Sequence, residues 1–235
     1  MTGPDRRAVP LGGDGRAGCP APGRHGSLGP VAVKKGVYRG LTAQERAAER
    51  RARLLEATLE VWGREGGPPV TMTRICQQAQ LTERYFYEQF ANLEEALEEV
   101  LKSIYDEIVE VTAAALEQTS GDPADRARIG IAAFLDVFVK DPRKGRVAMI
   151  LAPGRAELRE RRQEMLRSLS SFAAMEAGEL YGEEAEPGSR GELAGILFVG
   201  GLSELVAGWI EGTLDTEPAE LVDAATRAFT RLAHR

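Results

Sequence analysis

The side chains best suited to chemistry cluster in residues 71–90, Thr-Met-Thr-Arg-Ile-Cys-Gln-Gln-Ala-Gln-Leu-Thr-Glu-Arg-Tyr-Phe-Tyr-Glu-Gln-Phe. Their spacing reads as two short helices joined by a tight turn. The second opens on the Thr82 hydroxyl as its cap and presents Arg84, Tyr85, Tyr87 and Gln89 within two turns. That is the layout of a helix-turn-helix, whose second helix enters the DNA major groove. Arg84 can make paired hydrogen bonds to guanine, and the Tyr85 ring can meet a thymine methyl. Tyr87 and Gln89 suit phosphate contacts, which set register rather than read bases. Thr71 is placed to cap the first helix, where its hydroxyl or a freed amide can also hold a phosphate. The expected DNA-binding set is Thr71, Arg74, Thr82, Glu83, Arg84, Tyr85, Tyr87 and Gln89. Met72, Ile75, Cys76 and Ala79 form the inward face of the first helix, Leu81 plugs the turn, and Phe86 and Phe90 point into a small core. The bland alternative is a three-helix core with Arg84 and Tyr87 merely solvated, yet apolar packing does not require aromatics at both 85 and 87.

Catalysis finds little support. His25 lies in a loose N-terminal stretch and His234 is next to last, so neither is a credible base. The chain has no Glu-x-x-His pair for a di-iron bundle, no cysteine cluster for zinc and no phosphate-gripping glycine loop. No catalytic residue, metal or cofactor is expected. The remaining rival is an all-helical protein-interaction module without DNA binding.

The elements that position these residues are helical throughout. Residues 1–40 hold ten Gly and five Pro without a period, too little apolar surface to offset ordering entropy. They read as a disordered arm, either a basic segment that gains contacts near DNA or a dispensable extension. Order is expected from Leu41-Thr42, where Thr42 and Glu45 form a capping-box pattern. Ala48, Ala52, Leu55, Leu59 and Trp62 then recur as one apolar stripe up to Gly63. After Phe90, Asn92 and Glu95 start a helix running to about Gln118, with Leu93, Leu97, Leu101, Ile104, Ile108, Val111 and Ala115 on a narrow seam. Further helices are expected over about 124–139, 142–151, 155–181, 190–211 and from Glu217-Pro218 onward. No segment alternates as a strand would. The predicted architecture is all-α: a helix-turn-helix domain over 41–92 and a helical effector-binding and dimerisation domain over 93–235.

Composition agrees with a globular protein, with 43% hydrophobic and 28% charged residues. The start, Met1-Thr-Gly-Pro-Asp-Arg-Arg, has no apolar stretch behind it to read as a secretory signal, and no apolar run approaches the ~20 residues of a membrane span. Cys19 and Cys76 are the only cysteines, which fits a reducing cytoplasm. The net charge of −6 argues at first against nucleic acid, but its distribution is uneven. Residues 34–90 carry ten basic side chains against seven Glu, so the deficit falls on residues 91–235. A basic front and an acidic back suit a protein whose front alone meets phosphate.

The run Leu54-Leu55-Glu-Ala57 with Trp62 and Gly66, then Thr71 to Thr82, then Phe86-Tyr87-Glu-Gln-Phe90, resembles the TetR family of transcriptional regulators over residues 46–101. The resemblance implies a three-helix DNA-binding domain on a ligand-sensing domain that dimerises through its last two long helices, here about 190–211 and 218–234. It favours repression relieved by a small-molecule effector. Three residues depart from the family pattern. Gln80 stands where glycine is usual in the turn, and a non-glycine residue at positive φ costs on the order of 1 kcal/mol. Gln89 replaces the common histidine. Leu93 replaces a frequent lysine, where free amides at the Asn92 helix start offer a substitute.

The helix at 190–211 is apolar nearly all round and must be covered on all sides, with glycines suiting close approach of another helix. Paired with the last helix it can build a four-helix interface in a homodimer. That places two reading heads on one side of an operator duplex. Candidate walls of an effector pocket are Tyr105, Phe134, Phe138, Met149, Met165, Phe172 and Trp209.

Overall fold

Local capping signals start several of the helices of this protein, and a computed structural model describes residues 42–234. The arm expected over residues 1–40 lies outside the described residues. In α1 (Ala43–Gly63) the Thr42 hydroxyl accepts the Glu45 amide at 3.1 Å and the Glu45 carboxylate accepts the Thr42 amide at 2.5 Å. These bonds hold the Glu45 carboxyl below its ordinary range. The buried face of α1 is Leu54, Ala57, Thr58, Leu59 and Trp62, whereas Ala48 and Ala52 are exposed and Leu55 is half-buried. The expected stripe is thus right only at its C-terminal end. The first turns of α1 run past the small core, and alanine carries too little area to dictate which face turns inward.

α2 (Met72–Ala79) and α3 (Glu83–Tyr87) follow, then α4 (Leu93–Glu117). The Asn92 side chain accepts the Glu95 amide at 2.9 Å, and Glu95 reaches back to the Ala91 amide, one residue short of Asn92. α5 (Pro123–Lys140) begins on an Asp122 cap with proline in its first turn. α6 (Pro142–Gly145) opens into a π-helical segment, Arg146–Leu151, in place of the continuous α-helix expected there. Such widened turns often mark functional places in a chain. Here a Cβ at Gly145 would lie 2.4 Å from Ile210 Cδ1, so the turn is pressed against the end of α8.

α7 (Arg159–Tyr181), α8 (Gly188–Ile210) and α9 (Pro218–Ala233) complete the fold, with no strand among the described residues. Two apolar cores result. The smaller holds Leu54, Ala57, Ile75, Cys76, Ala79, Phe86, Phe90 and Ala96. The larger is built by α4, α5 and α7 to α9, and Leu55, Val70 and Leu93 pack against both.

α8 is packed on α7 and α9, and a Cβ at Gly195 would lie 2.4 Å from the Ser170 carbonyl oxygen. Its outer face is bare: Leu193, Ile196 and Leu197 are exposed, and a Cβ at Gly200 or Gly201 would meet nothing. Counting unbroken apolar runs misses that this helix, with a mean hydropathy of 1.8, is long and apolar enough to cross a membrane.

Candidate nucleic-acid interface

The turn between α2 and α3 is closed by backbone bonds. Gln80 sits in the left-handed region at φ 53° and ψ 43°, with its amide on the Gln77 carbonyl and the Leu81 amide on the Cys76 carbonyl. This is a Schellman ending, built without the usual glycine. Arg53 of α1 donates to the Ala79 carbonyl, satisfying another end group of α2. Cys76 is buried, and burial pushes its thiol up, reinforced by Glu83.

At five residues α3 cannot stand alone. Phe86 and Phe90, both fully buried with centroids 5.3 Å apart, bolt it to α1 and α2. Removing one such ring typically costs about 3–5 kcal/mol. The Thr82 hydroxyl does not cap α3, contrary to expectation. The Thr82 carbonyl takes the Tyr85 and Phe86 amides instead, which leaves the exposed hydroxyl unused by the helix.

The other residues of the expected set divide by exposure. The Arg84 side chain is 85% exposed and its Nε donates to Glu88 at 3.1 Å. An exposed pair of this spacing is worth only about 0.3–0.5 kcal/mol, so Arg84 can be redirected to a base edge at little cost. Tyr87 is 58% exposed, its ring meeting Phe86 edge-on at 5.9 Å. Tyr85 is half-buried beneath the Arg50 guanidinium, 4.8 Å from its ring centre. Gln89 is half-buried and its carbonyl accepts from Arg51 at 3.2 Å. Glu83 is exposed and accepts from Thr73 at 3.3 Å. The Thr71 hydroxyl accepts the Arg74 amide at 3.4 Å, while Arg74 itself reaches the Pro69 carbonyl at 2.7 Å. Arg74 is therefore a brace for the loop before α2 as well as a cation on that surface.

Sequence reasoning missed how α1 backs this surface. Arg50 stacks on Tyr85, and Arg51 lies over Phe90 and pairs with Glu99 of α4 at 2.9 Å. It also missed a clasp to the rest of the molecule. Arg143 of α6 pairs with Glu56 and Glu60 of α1 and with Asp141, each at 2.8 Å. The Arg143 guanidinium holds the Asp141 carboxyl below the usual carboxylate range. Arg64 and Arg143 together do the same for Glu60. The sequence carries no sign of pairs that bridge such separations.

Between α4, α5, α7 and α8 lies an apolar cavity of about 90 Å³. Tyr105, Phe134, Met149 and Phe172 line it. Phe138, Met165 and Trp209 do not. Phe138 is a turn beyond Phe134 and lies near Gly145, Met165 packs against the core beside Leu166, and Trp209 is nearly two turns beyond Ser203 on α8. Glu176 is the one carboxylate in the wall among the described residues, and burial raises its carboxyl, helped by Glu179 and Glu117 and opposed by Arg126. The Tyr105 and Thr112 hydroxyls line the same wall, buried and without a hydrogen-bond partner among the described residues.

No family profile matches the sequence, and no curated protein is similar to it. Solved structures are more telling. The fatty acid degradation regulator FadR from Bacillus halodurans superposes with a TM-score of 0.66 at 18% identity, over 79% of this chain and 97% of that one. A TetR-family transcriptional regulator from Syntrophomonas wolfei gives 0.67 at 13% identity, over 79% and 95%. The transcriptional regulator FadR from Bacillus subtilis, in complex with stearoyl-CoA, gives 0.65 at 18% identity, over 76% and 96%. The fold is that of the TetR-type regulators, all-α with an N-terminal helix-turn-helix and a C-terminal helical domain. These neighbours are transcriptional regulators, not enzymes.

Proposed function

We propose that this protein is a cytoplasmic, sequence-specific DNA-binding regulator, acting as a homodimeric repressor released from its operator by a small-molecule effector. The observation that carries the reading is α3 itself: a helix bolted inward by Phe86 and Phe90 that turns Arg84 and Tyr87 to solvent. In this reading residues 41–92 form the reading head, with Arg84 on a guanine and Tyr87, Gln89 and the Thr71 hydroxyl on phosphates. Thr82, Glu83 and Tyr85 border the same surface, and Arg74 braces it.

Residues 93–235 serve to pair and to sense. The bare stripe Leu193, Ile196 and Leu197, with the open glycines 200 and 201, suits contact with a second copy of α8 and α9. A cavity of about 90 Å³ admits nothing larger than a small ring unless the helices part. Parting them moves α4, whose first turn packs through Leu93 and Ala96 on the small core. The two reading heads then change spacing, provided the effector binds the two arrangements unequally.

The test is selection of binding sites from random duplexes by the purified chain, followed by titration of Arg84→Ala and Tyr87→Ala. The Arg84 change should cost about 1–3 kcal/mol and relax preference at one base pair. The Tyr87 change should weaken all duplexes alike. A folded protein that ignores every duplex at low ionic strength sinks the proposal.

A further inference from the structure

The polar groups of the cavity wall are few and stand apart. On α4, Tyr105, Ile108, Thr112 and Leu116 form one lining stripe, about 16 Å from end to end. Tyr105 is 5% exposed, and its hydroxyl has no partner among the described residues. Buried hydroxyls are rarely left so, and a phenol there can donate one hydrogen bond. Arg162 is the charge that Tyr105 feels. Glu176 lies toward the other end, where it feels Glu117 from α4, Glu179 from its own helix and Arg126 from α5. Glu117 and Glu179 are exposed and lie outside the wall, so Glu176 alone presents a carboxylate to the cavity, and among the described residues it makes no hydrogen bond or ion pair. Phe134, Phe172, Leu169 and Leu202 supply the apolar wall.

We propose that the cavity, widened as its helices part, takes an amphipathic cation: an elongated apolar body whose ammonium group pairs with Glu176 and whose far end offers a hydrogen-bond acceptor to the Tyr105 hydroxyl. This rests on the reading of the cavity as an effector site and names the chemical class of that effector. An anionic headgroup at the Glu176 end would meet the Glu176 carboxylate, with Glu117 and Glu179 adding repulsion from outside the wall against the single opposing charge of Arg126. An uncharged chain would fill the apolar wall and leave the carboxylate unpaired. A cation satisfies both, and placing it beside Glu176 favours the ionised carboxylate that burial opposes.

The experiment uses the full chain without DNA and measures affinity by calorimetry for four probes below their micelle thresholds: ω-hydroxydodecylammonium, dodecylammonium, dodecanol and dodecanoate. Stearoyl-CoA is a fifth. The expected order places ω-hydroxydodecylammonium first, then dodecylammonium, with dodecylammonium at least about tenfold tighter than dodecanol or dodecanoate. Glu176→Gln should erase the ammonium advantage and leave dodecanol within about twofold. Glu176→Asp, which keeps the charge, should retain most of it. Tyr105→Phe should remove the advantage of the ω-hydroxyl alone. Tighter binding of dodecanoate or stearoyl-CoA, or an ammonium affinity indifferent to Glu176→Gln, overturns the proposal. Because no DNA is present, its failure is separate from that of the regulator reading, which the duplex titrations decide.

Discussion

Gln80→Gly offers a clean perturbation of the helix-turn-helix. Gln80 is the one non-glycine residue at positive φ among the described residues, at φ 53°. Its side chain is exposed and makes no hydrogen bond among the described residues, so little packing or bonding is lost when it is removed. An L-residue in this region is strained by about 1–2 kcal/mol, which glycine avoids. Against that, glycine loosens the unfolded chain by about 0.5–1 kcal/mol. The balance favours the variant by about 0.5–1 kcal/mol, or roughly 1–4 °C in Tm for a chain of this size. Gln80→Ala keeps the strain and should leave stability within about 0.5 kcal/mol, and Gln80→Asn should fall between, because asparagine tolerates the left-handed region. The assay is urea unfolding at equilibrium, with the same m-value required of all four proteins. If Gln80→Gly proves less stable than Gln80→Ala, the turn is not the left-handed Schellman ending described, and the placement of α3 fails with it.

Three further outcomes can be checked. Arg143→Met should destabilise the fold by about 1–2 kcal/mol, a modest figure because the Arg143 and Glu56 side chains remain 32% and 63% exposed; unfolding curves show it. The Asp141 carboxyl is held low chiefly by its hydrogen bond from Arg143, so its contribution is fully present above the unfolded value of about 3.9 and is lost as pH falls through the lower folded value. Stability measured against pH should therefore fall more steeply below about pH 4 in the parent than in Arg143→Met. Leu197→Glu, at a side chain that is 64% exposed, should leave the fold intact and yield a monomer by sedimentation; a dimer surviving unchanged would remove α8 from the proposed interface.

What the amino-acid order determined was local. Thr42 with Glu45, Asn92 with Glu95, and the turn at Gln80 act over three to five residues, so caps, helix order and the helix-turn-helix spacing could be read directly. The apolar period of α4 was equally plain, since Leu97, Leu101, Ile104 and Ile108 each carry enough area to choose a face. Tertiary structure decided the rest. Alanines at 48 and 52 could not reveal that α1 outruns its core, and the Thr82 hydroxyl, which reads as a cap, makes no bond to α3, the Tyr85 amide going to the Thr82 carbonyl. The π-helical turn at Arg146–Leu151 accompanies Ile210 pressing on Gly145 from a helix far along the chain. Arg143 finds Glu60 across 83 residues, and Glu176 and Tyr105 come to line opposite ends of one cavity. Short-range hydrogen bonds and periodicity leave their mark in adjacent letters. Contacts between distant segments depend on how whole helices pack, and no window of sequence contains that.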